Sequence, residues 1–304
     1  MHDTTRSGAY GTPPAELAQA PEGATQFSPL IPGSAKLEEQ PEGEFSDMLV
    51  LAPPGTVERR YTTALALRAL APGGALTILA PKDKGGSRIA KELKAFGCSV
   101  SETSRRHYRI CTCERPSRLI GIDEALAEGG PRRDEALGLW TWPGVFSWNR
   151  LDPGSVLLEQ NLPAFSGRGA DFGCGIGILA RTILAFPTVE HLAMLDIDRR
   201  AVEMSARNVT DPRAEMRWVD ARSGTGLQEL NFVVMNPPFH DGGAEDQSLG
   251  QTFIRRAAEA LRSGGVLWLV ANRHLPYEGV LKPLFRRVTP KVEAGGYKIY
   301  EALK

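Results

Sequence analysis

From residue 47 onward the chain alternates short apolar runs with stretches in which apolar positions recur at helical spacing. Met48-Leu49-Val50-Leu51-Ala52 reads as a strand closed by Pro53-Pro54-Gly55. Arg60 to Leu70 reads as a helix with Ala64, Leu65, Leu67 and Leu70 near one face. Pro72-Gly73-Gly74 stops it, and Ala75 to Ala80 is the next strand. A helix over 87–96 and strands near 98–102 and 107–112 follow. The second half continues in the same manner. A strand ends at Phe172, a helix runs from Gly177 to Phe186, and strands are predicted at His191–Leu195, Glu215–Val219, Phe232–Met235, Val266–Ala271 and Tyr297–Leu303. Helices Ala201–Val209 and Thr252–Leu261 separate them. Such alternation predicts α/β architecture with a parallel, doubly wound sheet.

Two segments stand apart. Residues 1–44 are rich in Pro, Gly, Ala, Ser, Thr and Glu, with Phe27, Leu30 and Ile31 as scattered apolar positions, so they read as a flexible arm. Helix-to-strand passages at 66–81 (ALRALAPGGALTILAP) and 257–272 (AAEALRSGGVLWLVAN) resemble each other. They are either traces of an internal duplication or two similar turns. The expected organisation is an arm (1–44), a smaller α/β domain (45–138) and a larger one (139–304).

Composition narrows the functional classes. With 42% apolar and 24% charged residues the chain has the makings of a hydrophobic core. Lys plus Arg equals Asp plus Glu at 36 each, so bulk charge announces no nucleic-acid partner. Basic character is local, at Lys82, Lys84, Arg88, Lys91 and Lys94 and at Arg105, Arg106 and Arg109; either cluster alone reads as a solvated face before it reads as a binding patch. Four cysteines, Cys98, Cys111, Cys113 and Cys174, form neither a disulfide framework nor a paired metal motif, so no metal is expected. The N-terminus has no secretory pattern and no apolar run is long enough for a bilayer, so a cytoplasmic location without membrane contact is expected. The pattern sets no oligomeric state; a monomer fits it.

The chemistry concentrates at strand ends of the second half. Asp171-Phe172-Gly173-Cys174-Gly175-Ile176-Gly177 sits at a strand-to-helix junction, where glycines permit a tight turn and close ligand approach. Glycine spacing alone fits a dinucleotide pyrophosphate equally well. Asp171 discriminates: its charge opposes a pyrophosphate but suits the ammonium of a methionine moiety. Asp196, ending the next strand, can accept ribose hydroxyls. Asp220, ending the one after, can accept from an adenine amino group or serve as a cap. The strand Phe232–Met235 then runs into Asn236-Pro237-Pro238-Phe239. Two prolines fix φ and remove donors, so this strand end is a rigid acceptor array. If the Asn236 side-chain oxygen and the Pro237 carbonyl accept both hydrogens of an amino group, its nitrogen is aimed at a methyl donor, with Phe239 stacking on the base. The neighbouring His240 is left open between pocket and surface.

These residues resemble the class I S-adenosylmethionine (SAM)-dependent methyltransferases, through D-F-G-C-G-I-G, L-D-I-D and M-N-P-P-F-H. Within them the chain resembles the bacterial ribosomal RNA guanine-N2 methyltransferases. Pro143-Gly144-Val145-Phe146-Ser147, Leu151-Asp152-x-Gly154-Ser155-x-Leu157-Leu158 and Ala271-Asn272-x-x-Leu275-Pro276-Tyr277 carry that closer likeness. It implies a Rossmann-like catalytic domain over 139–304. The expected cofactor site is Asp171, Gly173, Cys174, Gly175, Gly177, Asp196, Asp220 and Asn236; the reacting centre is Asn236, Pro237, Pro238 and Phe239. It further implies a degenerate methyltransferase-like first domain that supports RNA binding, and a ribosomal RNA partner offering a single-stranded or flipped guanine. Adenine-N6 or glutamine-N5 methylation, an NAD-dependent oxidoreductase and a non-catalytic RNA-binding assembly factor remain as alternatives.

Overall fold

In the computed structural model, residues 6–238, 240–241, 244–245 and 247–304 are described, with backbone alone at 240, 241, 244, 245 and 247. The chain divides into two units, Met1–Gly130 and Pro131–Lys304.

The first unit contains β1 (Ser7–Tyr10), β2 (Thr25–Gln26), β3 (Phe45–Leu51), α1 (Thr56–Ala69), β4 (Leu70–Pro81), α2 (Ile89–Ala95), β5 (Ser101–Arg105), β6 (Tyr108–Glu114) and α3 (Ile122–Gly129). Its strands form one sheet in the order β2-β1-β3-β4-β6-β5. The flexible arm expected over 1–44 is corrected here, because β1 is an interior strand paired to β3 from Ser7↔Asp47 to Tyr10↔Val50. Apolar residues that look scattered in sequence converge in space. Phe27 and Leu37 are buried, and Phe27 meets Phe45 edge to face at 5.4 Å. The sheet is also mixed rather than parallel, since β6 runs antiparallel to both β4 and β5. No helix separates β5 from β6; Arg106 and His107 adopt φ of 47° and 64° and close a two-residue hairpin instead.

The second unit contains β7 (Arg132–Asp134), β8 (Leu139–Thr141), α4 (Pro153–Glu159), β9 (Gly167–Phe172), α5 (Ile178–Leu184), β10 (Val189–Asp196), α6 (Arg199–Asn208), β11 (Ala214–Trp218) and β12 (Leu230–Met235). It continues with β13 (His240–Asp241), β14 (Ala244–Glu245), α7 (Gln247–Ala260), β15 (Leu261–Asn272), α8 (Glu278–Leu284), β16 (Arg287–Ala294) and β17 (Tyr297–Leu303). The main sheet has the order β11-β10-β9-β12-β15-β17-β16, parallel except for the β17 pairings. Chain order reverses between β9 and β12, which opens a crevice at their carboxyl ends. Both sheet faces are covered. Phe172, Val233, Met235 and Leu269 belong to one buried cluster, and Met194, Phe232, Val234 and Trp268 to the other. The unit begins at Pro131 rather than 139 because β7 and β8 pair with each other and β8 is tied to α6. There Trp140 N donates to Asn208 Oδ1 at 2.7 Å, and Asn208 Nδ2 donates to Trp140 O at 2.9 Å.

Candidate active site

A cavity of about 270 Å³ opens at the carboxyl ends of β9, β10 and β12. Gly173, Gly175, Asp196, Asn236, Pro237 and Pro238 line it, as do the apolar side chains of Leu195, Ile197, Val219, Ala221 and Phe253 and the exposed ring of Phe146. A smaller space beside it is lined by Ser147, Ser155 and Cys174, and shares Phe146, Gly173, Gly175 and Asn236.

The glycine turn is built from its own hydrogen bonds. Gly173 N and Cys174 N both donate to Leu195 O, at 2.8 and 2.9 Å, and Gly177 N donates to Cys174 O at 2.9 Å. Gly175 N donates to Asp196 Oδ2 at 2.9 Å. Gly173 and Gly175 hold φ of 78° and 54°, which side-chain-bearing residues rarely adopt. These four N–H groups are satisfied internally, so the turn is not a free anion cradle of the kind that binds a pyrophosphate. That observation counts against the dinucleotide reading.

Asp171, next to last in β9, is completely buried, and neither carboxylate oxygen has a hydrogen-bond partner among the described residues. Burial, and then the nearby charge of Asp196, push its carboxyl up to about 8. It lies two residues before Gly173 and does not itself line the cavity. A buried, unpartnered carboxylate calls for a cation. Asp196 reaches the cavity wall, and its oxygens accept from Gly175 N and Asp198 N, both at 2.9 Å. Each oxygen keeps a lone pair for a hydroxyl. Burial pushes this group up to about 6.

Two expected cofactor residues are placed differently. Asp220 accepts from Arg222 N at 2.9 Å and from Arg222 Nε at 2.9 and 3.0 Å. Burial raises its carboxyl, but those Arg222 bonds hold it below the usual range. Its neighbours Val219 and Ala221 line the cavity, and it caps the short turn Ala221–Ser223. Gly177 starts α5 with φ of 88°; a Cβ there would stand 2.9 Å from Val209, so it serves helix packing rather than the cavity. Cys174 is buried beside the smaller space, its thiol held well above the usual range by burial. Phe239 lies outside the described residues, as does the His240 side chain.

Asn236 is fixed by two donations from its side-chain amide, to Asp152 Oδ2 at 2.9 Å and to Ser155 Oγ at 2.8 Å. Its carboxamide oxygen is thereby distinguished as the acceptor. Sequence reasoning assigned no individual role to Phe146, Asp152, Ser155 or Phe253. Asp152-Pro153 is legible as a helix start, but its contact with a residue 84 positions away is not.

Residues 136–301 match the family described as Methyltransferase small domain. The chain is 33% identical over 290 residues to ribosomal RNA small subunit methyltransferase C of Pseudomonas aeruginosa (strain LESB58), covering 91% of this chain and 85% of that one. The same enzyme of Shewanella sediminis is 30% identical, covering 85% and 77%. The chain belongs to the ribosomal RNA small subunit methyltransferase C family. Among solved structures it is similar to the T. thermophilus 16S rRNA N2 G1207 methyltransferase in complex with AdoMet and guanosine, with 26% identity and a TM-score of 0.76 over 93% of this chain and 77% of that one. Members of this family are SAM-dependent methyltransferases, and the site here suits that cofactor. Asp171 offers a charge for an ammonium, Asp196 offers acceptors for ribose hydroxyls, and the apolar wall offers a surface for a flat ring. Among the described residues no helix is long and apolar enough to cross a membrane, and none of their His, Cys, Asp and Glu side chains cluster as a metal site.

Proposed function

We propose that this chain methylates the exocyclic N2 amino group of a guanine in small-subunit ribosomal RNA. The observation that carries the reading is the Asn236 carboxamide, whose donors are both engaged, so that its oxygen is the group left to accept. An arylamine nitrogen is a poor nucleophile because its lone pair is drawn into the ring. Two acceptors at a strand end orient its hydrogens and stabilise the charge that grows on nitrogen. The Asn236 oxygen and the Pro237 carbonyl fill that role, with Phe239 as the stacking partner. SAM supplies an electrophilic methyl group when bound. Asp171 and Asp196 hold its amino and ribose ends, while the wall from Leu195 to Ala221 excludes water. Asp220 supports that wall through Val219 and Ala221.

A paired base cannot enter such a cavity, so the substrate is an unpaired or flipped guanine. The first unit supports RNA binding, and the protein acts in the cytoplasm where ribosomes are assembled. The test is methyl transfer in vitro from isotope-labelled SAM to small-subunit ribosomal RNA, followed by nucleoside digestion and mass spectrometry. Label in N2-methylguanosine is expected. Label in N6-methyladenosine or in protein glutamine would overturn the assignment.

A further inference from the structure

The hydrogen bonds that fix Asn236 come from a device with its own construction. Asp152 is the N-cap of α4, where its Oδ2 accepts from Ser155 N at 2.8 Å as well as from Asn236 Nδ2. Its own N–H donates to Ser147 Oγ at 3.1 Å. Gly154 lets this corner close, since a Cβ there would stand 2.7 Å from the Tyr297 ring and 3.0 Å from Asp152 Oδ2. The Asp152 carboxylate is therefore held from its own helix and from the preceding turn. Ser155, one turn into α4, presents its hydroxyl to the second amide hydrogen.

This pair reads the two ends of the Asn236 carboxamide differently. An ionised carboxylate only accepts. Rotating the amide by half a turn would set its oxygen against the Asp152 oxygen and lose both donations. Ser155 lines the smaller space and not the larger cavity, so the nitrogen side of the amide faces the former and the oxygen is left for the latter.

We propose that Asp152 and Ser155 are positioning residues for methyl transfer: they hold the Asn236 carboxamide in the one orientation that presents its oxygen to the target amino group. The proposal rests on the reading of Asn236 as the acceptor for that amine.

A double-mutant cycle on the full chain tests it, with kcat for methylation of small-subunit ribosomal RNA and SAM affinity measured in parallel. Asp152→Ser keeps a good helix cap but is too short to reach Asn236. It is expected to lower kcat about tenfold or more, the size of a lost hydrogen bond to a charged group, with SAM affinity unchanged. Asp152→Asn keeps an acceptor in place and is expected to retain activity within about threefold. Ser155→Ala probes the second contact should Asp152→Ser fail to fold, and is expected to lower kcat with SAM affinity likewise unchanged. In an Asn236→Ala background neither Asp152→Ser nor Ser155→Ala should cost anything more. Full kcat in Asp152→Ser or in Ser155→Ala, or an equal loss with Asn236 absent, would overturn the proposal while leaving the acceptor reading intact. Full kcat in Asn236→Ala alone would instead remove the acceptor reading, and this proposal with it.

Discussion

The two units share a strand plan, and their differences show what turns such a plan into an active site. With the edge strand β11 set aside, β10-β9-β12-β15-β17-β16 matches β2-β1-β3-β4-β6-β5 position by position. Superimposing the similar passages at 66–81 and 257–272 puts Leu70 on Leu261 and Ile78 on Leu269. Pairings then carry the match outward, because Val50 pairs with Ile78 and Tyr10, while Met235 pairs with Leu269 and Phe172. Gly11 falls on Gly173, and both hold nearly the same positive φ, 80° and 78°. In this register Ala9 stands where Asp171 does, and Leu51 where Asn236 does. The first unit thus lacks the cofactor charge and the acceptor amide, and between β1 and β3 it has only a 3-10 turn at Leu37–Glu39 in place of an α-helix. Its Pro53-Pro54 carbonyls are taken by Arg59, fully buried, whose Nη1 reaches Pro54 O at 2.8 Å and whose Nε and Nη2 hold Glu92 at 2.8 and 2.7 Å. An ion pair fills the strand-end position in one unit, and a ligand cavity opens there in the other.

Substitutions should separate the two. The largest effect is expected from Arg59→Met, which strands Glu92 and two carbonyls in the interior. It should destabilise the chain by about 3–5 kcal/mol in denaturant titrations, with SAM affinity of the folded protein unchanged. A loss of SAM binding would mean that the first unit takes part in the cofactor site. Asp171→Asn comes next and acts in two directions. Calorimetry should show SAM binding weakened about 10–100-fold, matching about 1.5–3 kcal/mol for a hydrogen bond to a charged group. Without cofactor the variant should be the more stable form at alkaline pH. The Asp171 carboxyl is pushed from 3.8 up to about 8, so between those values the folded chain holds a proton that the unfolded chain has released. Stability of the cofactor-free protein therefore falls as pH rises through that window, and the Asn variant lacks this slope. Equal slopes in thermal melts would contradict it. The smallest effect is expected from Asp220→Asn. Its partner Arg222 is well exposed, so stability should change by no more than about 1 kcal/mol, and SAM affinity by less than about threefold.

Much of the second unit was legible because its strands are buried on both faces and its turns carry the glycines and prolines that their geometry demands. Asp171, Asp196 and the Asn236–Pro238 run announce themselves by chemistry and by position at strand ends. The first unit was read less well. Its strand β1 is four residues long and has no periodicity to mark it, so it gains definition only from β3, some 40 residues later. The hairpin between β5 and β6 places Arg106 and His107 where a sequence reader expects Gly or Asn, so nothing signals the antiparallel edge. An aspartate after a strand suits a ligand contact or a local cap equally, and at Asp220 the structure shows the cap, through Arg222 two positions on. The Asp152–Asn236 contact is purely tertiary. Local pattern yields the helix start and is silent on what the cap holds besides its helix.

The central claim is that the second unit makes N2-methylguanosine through the Asn236 acceptor. It is tested most directly by mass spectrometry of small-subunit ribosomal RNA from cells lacking this protein, supplied again with either the wild-type chain or Asn236→Ala. One N2-methylguanosine is expected to disappear, to return with the wild-type chain, and to stay absent or fall about 10²–10³-fold in rate of formation with the variant. An unchanged nucleoside profile in the deficient cells, or full restoration by Asn236→Ala, would contradict it.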